Sequence, residues 1–105
     1  MTTPDRWIVV QIGTNEPLYK VFATWYGGYL DGDRWKMNSG ISKVEDAGEY
    51  FLFHGYSGSV YKCDKQAYGT NSYTQGVLDD IIEKASTVMT VQTMPADTDW
   101  LTLTQ

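Results

Sequence analysis

Only one stretch of this 105-residue chain carries a helical stripe, and that stripe constrains what the rest can become. Over 73–85, Val77, Leu78, Ile81, Ile82 and Ala85 recur at three- and four-residue spacing, with Asp79, Asp80, Glu83 and Lys84 between them. This places the apolar side chains on one face of an α-helix and the charges on the other. Ser72 with Gln75 three positions on reads as a capping box, each side chain satisfying the other residue's free amide. Gly76 weakens the first turn by about 1 kcal/mol relative to Ala. A lone amphipathic helix has no second helix to bury its stripe against, so the flanking segments must supply a sheet.

Those segments read as strands. Residues 6–12 are β-branched or aromatic and end at the turn Thr14-Asn15-Glu16-Pro17. In 18–26, Tyr19, Val21, Ala23 and Trp25 share one face, while Lys20 and Thr24 fall on the other. Asp31-Gly32 is a pair suited to a two-residue hairpin turn, and it brings Gly28 opposite Trp35. Asn38-Ser39-Gly40 and Asp46-Ala47-Gly48 mark further turns around short strands over 41–45 and 49–54. The chain then reverses through 55–58 into 59–63. After the helix, 87–93 reads as a last strand stopped by Pro95, and Trp100, Leu101 and Leu103 point to a docked tail. The expectation is one α+β domain over 1–105, with 1–5 and 102–105 frayed. Five or six mostly antiparallel strands form a sheet, and the helix packs on one of its faces.

Composition narrows the function classes. Thirteen Asp and Glu against eight scattered Lys and Arg give a formal net charge of −5, which argues against a nucleic-acid partner and an anionic membrane surface. The longest apolar run, 7–10, is far short of a membrane span, and the first residues show no signal peptide. The cytoplasm is the expected location. Cys63 is the only cysteine, so an internal disulfide is impossible.

No catalytic or metal constellation stands out, and no cofactor is expected. Closing the 55–58 hairpin symmetrically sets His54 opposite Ser59, Leu52 opposite Tyr61 and Tyr50 opposite Cys63, all on one side. His54 and Cys63 are then roughly 13 Å apart at about 3.3 Å per residue, too far for a nucleophile–base dyad. His54 can reach Ser59, but no acid in that hairpin orients the ring as a triad requires. Cys63 reads as a small semi-buried apolar residue. Asp31-Gly32-Asp33 opens like a calcium loop, yet the later positions of such a loop hold Trp35, Lys36 and Ser42. Gly55-Tyr56-Ser57-Gly58 matches a nucleic-acid clamp by letters only, since its flanks are strands. The acidic clusters at turns and on the outer helix face read as solvated charge.

The fifteen aromatic residues are the most informative feature. Trp25, Tyr26, Tyr29 and Trp35 flank one glycine-rich hairpin, and Tyr50, Tyr61 and Tyr56 sit on the next. They either fill the layer between sheet and helix or present a contact face. The candidate binding residues are Tyr26, Tyr29, Trp35, Tyr56 and Tyr61, with Asp31 and Asp33 at the loop between them. The leading expectation is a non-enzymatic interaction domain that binds a protein partner or its own copy, a homo-oligomer in the second case. A small-ligand or carbohydrate-binding module is the alternative, and a hydrolase-like enzyme using His54 is the third reading.

The stretches Gly28-Tyr-Leu-Asp-Gly-Asp-Arg-Trp-Lys-Met-Asn-Ser-Gly-Ile41 and Tyr50-Phe-Leu-Phe-His-Gly-Tyr-Ser-Gly-Ser-Val-Tyr-Lys-Cys63 resemble small uncharacterised phage-encoded and marine environmental proteins. The resemblance spans about the middle half of the chain. It implies a phage-type accessory protein that binds a host component, and it assigns no site residues.

Overall fold

In the first strand, β1 (Arg6–Ile12), side chains that point in opposite directions are buried alike: Trp7, Ile8, Val9 and Val10 are all shielded from solvent. A strand apolar on both faces must be covered on both, and one helix covers only one. The computed structural model, which describes residues 1–27 and 34–103, shows how the chain answers this. The strands divide into two antiparallel sheets, so the protein is α+β in three layers.

The central layer has four strands in the order β3-β2-β1-β7, with β2 Leu18–Trp25, β3 Arg34–Met37 and β7 Val91–Thr93. On one side, Ile8, Val10 and Phe22 pack against Leu78, and Val77, Ile81 and Ile82 complete the contact, as the helical stripe requires. On the other side, Trp7, Val9, Val21 and Ala23 meet Ile41, Phe53, Tyr61 and Cys63 of a second sheet. That sheet has the order β4-β5-β6, with β4 Ile41–Asp46, β5 Tyr50–Gly55 and β6 Val60–Asp64. The switch between sheets occurs at Gly40, whose φ of 133° is one that glycine alone adopts readily. A Cβ there would stand 2.7 Å from Leu18 and 2.9 Å from the Tyr56 ring.

The helix α1 (Ser72–Ala85) starts from a cap one residue earlier than expected. Asn71 Oδ1 accepts from the Thr74 amide at 2.7 Å, and Thr74 Oγ1 accepts from the Asn71 amide at 3.1 Å. The buried Thr74 hydroxyl also lies 3.2 Å from that of Thr24, which ties the cap to β2.

The last strand is shorter than the 87–93 expectation. The amides of Ser86, Val88 and Met89 bond back to Ile82 and Ala85 carbonyls at 2.9–3.1 Å, so this segment finishes the helix and is unavailable to a ladder. Val88 and Met89 are exposed accordingly. The tail docks: Trp100, opening a 3₁₀ turn over Trp100–Thr102, is buried against Trp7, Phe53 and Tyr68. Residues 2–5 are held rather than frayed. Thr2 exchanges backbone hydrogen bonds with Val60 and Lys62, and Trp25 Nε1 donates to the Thr3 carbonyl at 3.1 Å.

Candidate functional site

The 55–58 hairpin does not close symmetrically. Gly58 adopts a left-handed φ of 93°, its amide bonds the Gly55 carbonyl, and the Gly55 amide bonds the Ser59 carbonyl. This is a turn followed by a one-residue bulge, which shifts the register by one. His54 therefore pairs with Val60, Phe53 with Tyr61, and Phe51 with Cys63. A one-residue shift moves every side chain of β6 to the opposite face.

Two expectations change as a result. Tyr61, expected among the contact residues, is 1% exposed and belongs to the core between the sheets. His54 and Cys63 lie on opposite faces of the hairpin, so distance is no longer the only thing separating them. Burial pushes the Cys63 thiol well above its ordinary range, which keeps it protonated and unreactive.

On the outer face of the second sheet, Glu45 of β4 is the acid that the hairpin alone lacks. Its carboxylate lies 2.8 Å from Lys43 Nζ and 3.4 Å from His54 Nε2. The neighbouring Lys43 ammonium, then the His54 imidazole, holds the Glu45 carboxyl below the usual carboxylate range. Only the β4–β5 pairing, Lys43 with His54 and Glu45 with Leu52, reveals this row. No nucleophile joins it among the described residues. Ser59 Oγ lies over Gly55, and the Ser42 hydroxyl donates to the carbonyl of His54. Beyond it, Lys62 Nζ sits 4.4 Å from the Tyr50 ring centre, beside an open hollow of about 410 Å³ lined by Met1, Ala47, Tyr50 and Leu52. Among the described residues no three His, Cys, Asp or Glu side chains converge as metal ligands.

The exposed aromatic candidates occupy two separate places. Tyr56 is 68% exposed on the hairpin tip, with its ring edge close to Gly40, which Leu18 also approaches. Its loop is fastened by the Tyr56 amide to the Gly40 carbonyl at 3.0 Å and by the Ser57 amide to Ser39 Oγ at 3.0 Å. Trp35 lies at the other end of β2, opposite Thr24. From Leu18 to Thr24 is six residues, roughly 20 Å at about 3.3 Å per residue. Tyr56 and Trp35 thus do not form one patch.

Trp35 has a local setting of its own. Its indole stacks on the buried Phe22 ring with centroids 5.4 Å apart and planes 17° from parallel, while 41% of the residue stays exposed. Tyr26, also exposed, follows directly after β2, its amide held by Asp5 Oδ2 at 2.8 Å. Arg34 and Lys36 flank Trp35 on β3, both exposed, and neither forms an ion pair among the described residues. With Thr2 and Trp25 they line a hollow of about 300 Å³. These two cations were not singled out by the sequence reading. The signal was the alternation Arg34-Trp35-Lys36-Met37, which on a strand puts both cations on one face. Tyr29, Asp31 and Asp33, with the Asp31-Gly32 turn, lie outside the described residues.

No helix among the described residues is long and apolar enough to cross a membrane. The chain matches no protein-family model, no curated protein and no solved structure.

Proposed function

We propose that this chain is a non-enzymatic protein-interaction domain whose contact surface centres on Trp35 at the edge of the central sheet. The observation that carries the reading is the stacking of the half-exposed indole on Phe22. A large aromatic ring already held in place loses little freedom on binding, and Trp is enriched among residues that dominate interface energies. Tyr26 extends the aromatic surface, and Arg34 and Lys36 give it a polar rim. Interfaces of this kind combine a desolvated aromatic centre with a charged, solvated border.

The test uses the full chain and a Trp35→Ala variant as baits in a bacterial lysate, the material that the resemblance to phage-encoded proteins implies. Both are checked for native fold by circular dichroism, and both are also applied to a panel of oligosaccharides. One protein retained by the intact chain and lost by Trp35→Ala is the expected result. Equal retention by both baits overturns the surface. Oligosaccharide binding that disappears in Trp35→Ala replaces the protein partner with a sugar ring stacked on the same indole.

A further inference from the structure

Resting on the Trp35 surface just described, we infer that the outer edge of β3 accepts an extended acidic segment of the partner as a fifth strand of the central sheet. β3 stands at the end of the order β3-β2-β1-β7, and among the described residues no strand pairs with its outer side. The direction of its backbone groups follows from two hydrogen bonds. The Asn38 amide donates inward to the Val21 carbonyl at 3.1 Å, and the Thr24 carbonyl, opposite Trp35, accepts from Asp5 on the far side of β2. Antiparallel pairs alternate, so the amides and carbonyls of Trp35 and Met37 point outward, away from β2. An unpaired row of this kind is a template for strand addition.

The side chains specify the occupant. Arg34 and Lys36 project on the face toward the second sheet, beside Trp25 and the 300 Å³ hollow. Trp35 and Met37 project on the helix face with Phe22. A complementary strand alternates carboxylates on the first face with apolar side chains on the second. A second copy of this chain does not fit. An antiparallel ladder must pair the outward-facing Trp35 and Met37 with themselves or each other. The registers that do so over most of 34–37 set Arg34 opposite Lys36 or Lys36 opposite Lys36, and like charges directly opposite are destabilising.

The test titrates isotope-labelled full chain with capped peptides and follows amide exchange by NMR. The probes are Glu-Val-Glu-Val-Glu-Val, the corresponding Lys-Val hexapeptide, and the Glu-Val peptide with alternate backbone nitrogens methylated. The Glu-Val peptide is expected to slow exchange selectively at the Trp35 and Met37 amides. It is expected to bind about tenfold more tightly than either other probe, from two opposite-charge pairs and the ladder bonds respectively. In the charge-reversed variant Arg34→Glu/Lys36→Glu the preference should switch to the Lys-Val peptide. Binding of the Glu-Val peptide without protection of Trp35 and Met37, equal binding of the methylated peptide, or no binding at millimolar peptide each overturns the strand-addition inference. If the captured protein is still lost by Trp35→Ala, the contact surface stands while its strand-addition mode falls. If Trp35→Ala captures like the intact chain, the surface itself falls.

Discussion

The Tyr68 hydroxyl holds two strands at once. It accepts from the Val9 amide at 3.3 Å and donates to the Met94 carbonyl at 2.5 Å, linking β1 to the residue after β7. Burial pushes its pKa up from 10 to about 12, against the opposing effect of the Val9 amide. The folded state therefore favours the neutral phenol. Its contribution is complete below pH 10, the unfolded value, and is lost as pH rises through about 12. Stability measured by urea denaturation should fall over that window. Tyr68→Phe should flatten the fall and cost about 1–3 kcal/mol at pH 7, because two backbone groups lose their partner. The flattening will be partial, since burial also raises Tyr61 and Cys63.

At the scale of the element, α1 shows how local sequence sets a boundary and tertiary contact selects among candidates for it. Ser72 with Gln75 and Asn71 with Thr74 both satisfy the spacing of a reciprocal cap. Asn71 and Thr74 form it because Thr74 is buried beside Thr24, a contact that no local pattern contains. Gly76 sits within the first turns of this helix with nothing within 4 Å of the position a Cβ would take. Gly76→Ala should stabilise the protein by about 0.5–1 kcal/mol, by narrowing the freedom of the unfolded chain. An unchanged urea midpoint would show that the first turn contributes little to the cooperative unit. The bulge at Gly58 is the contrasting case. One left-handed residue moved Tyr61 from the expected surface into the core, while Leu52 and His54 of β5 stay on the outer face.

For the whole molecule, the core between the two sheets converges on Trp7. Its ring lies 5.2 Å from Phe53, 4.7 Å from Tyr68 and 5.5 Å from Trp100, and its Nε1 donates to the Asp64 carbonyl at 2.7 Å. Trp100 comes from the far end of the chain, so the tail is part of the fold. Trp100→Ala should cost about 3–5 kcal/mol, the range for emptying a buried aromatic site. Leu101→Ala, at a neighbouring position that is exposed, should change stability by less than about 0.5 kcal/mol. Urea denaturation of both variants checks the pair, and equal effects would mean that the tail does not seal the core.

Taken alone, the sequence determined the helix stripe, six of the seven strands among the described residues, the acidic balance and the prominence of the aromatics. These depend on periodicity, turn chemistry and composition, which are properties of short windows. Tertiary structure decided the division into two sheets, the register of the β5–β6 hairpin and the fate of each aromatic. Trp7 and Val9 needed a second cover that the helix on the other face could not give, Gly40 turned the chain to provide it, and Gly58 chose the face that Tyr61 would occupy. The arrangement of Trp35 on Phe22 between Arg34 and Lys36 belongs to this second group. It exists because β3 is an edge strand, and position within a sheet is set by which strands come to lie beside one another, often far apart in sequence.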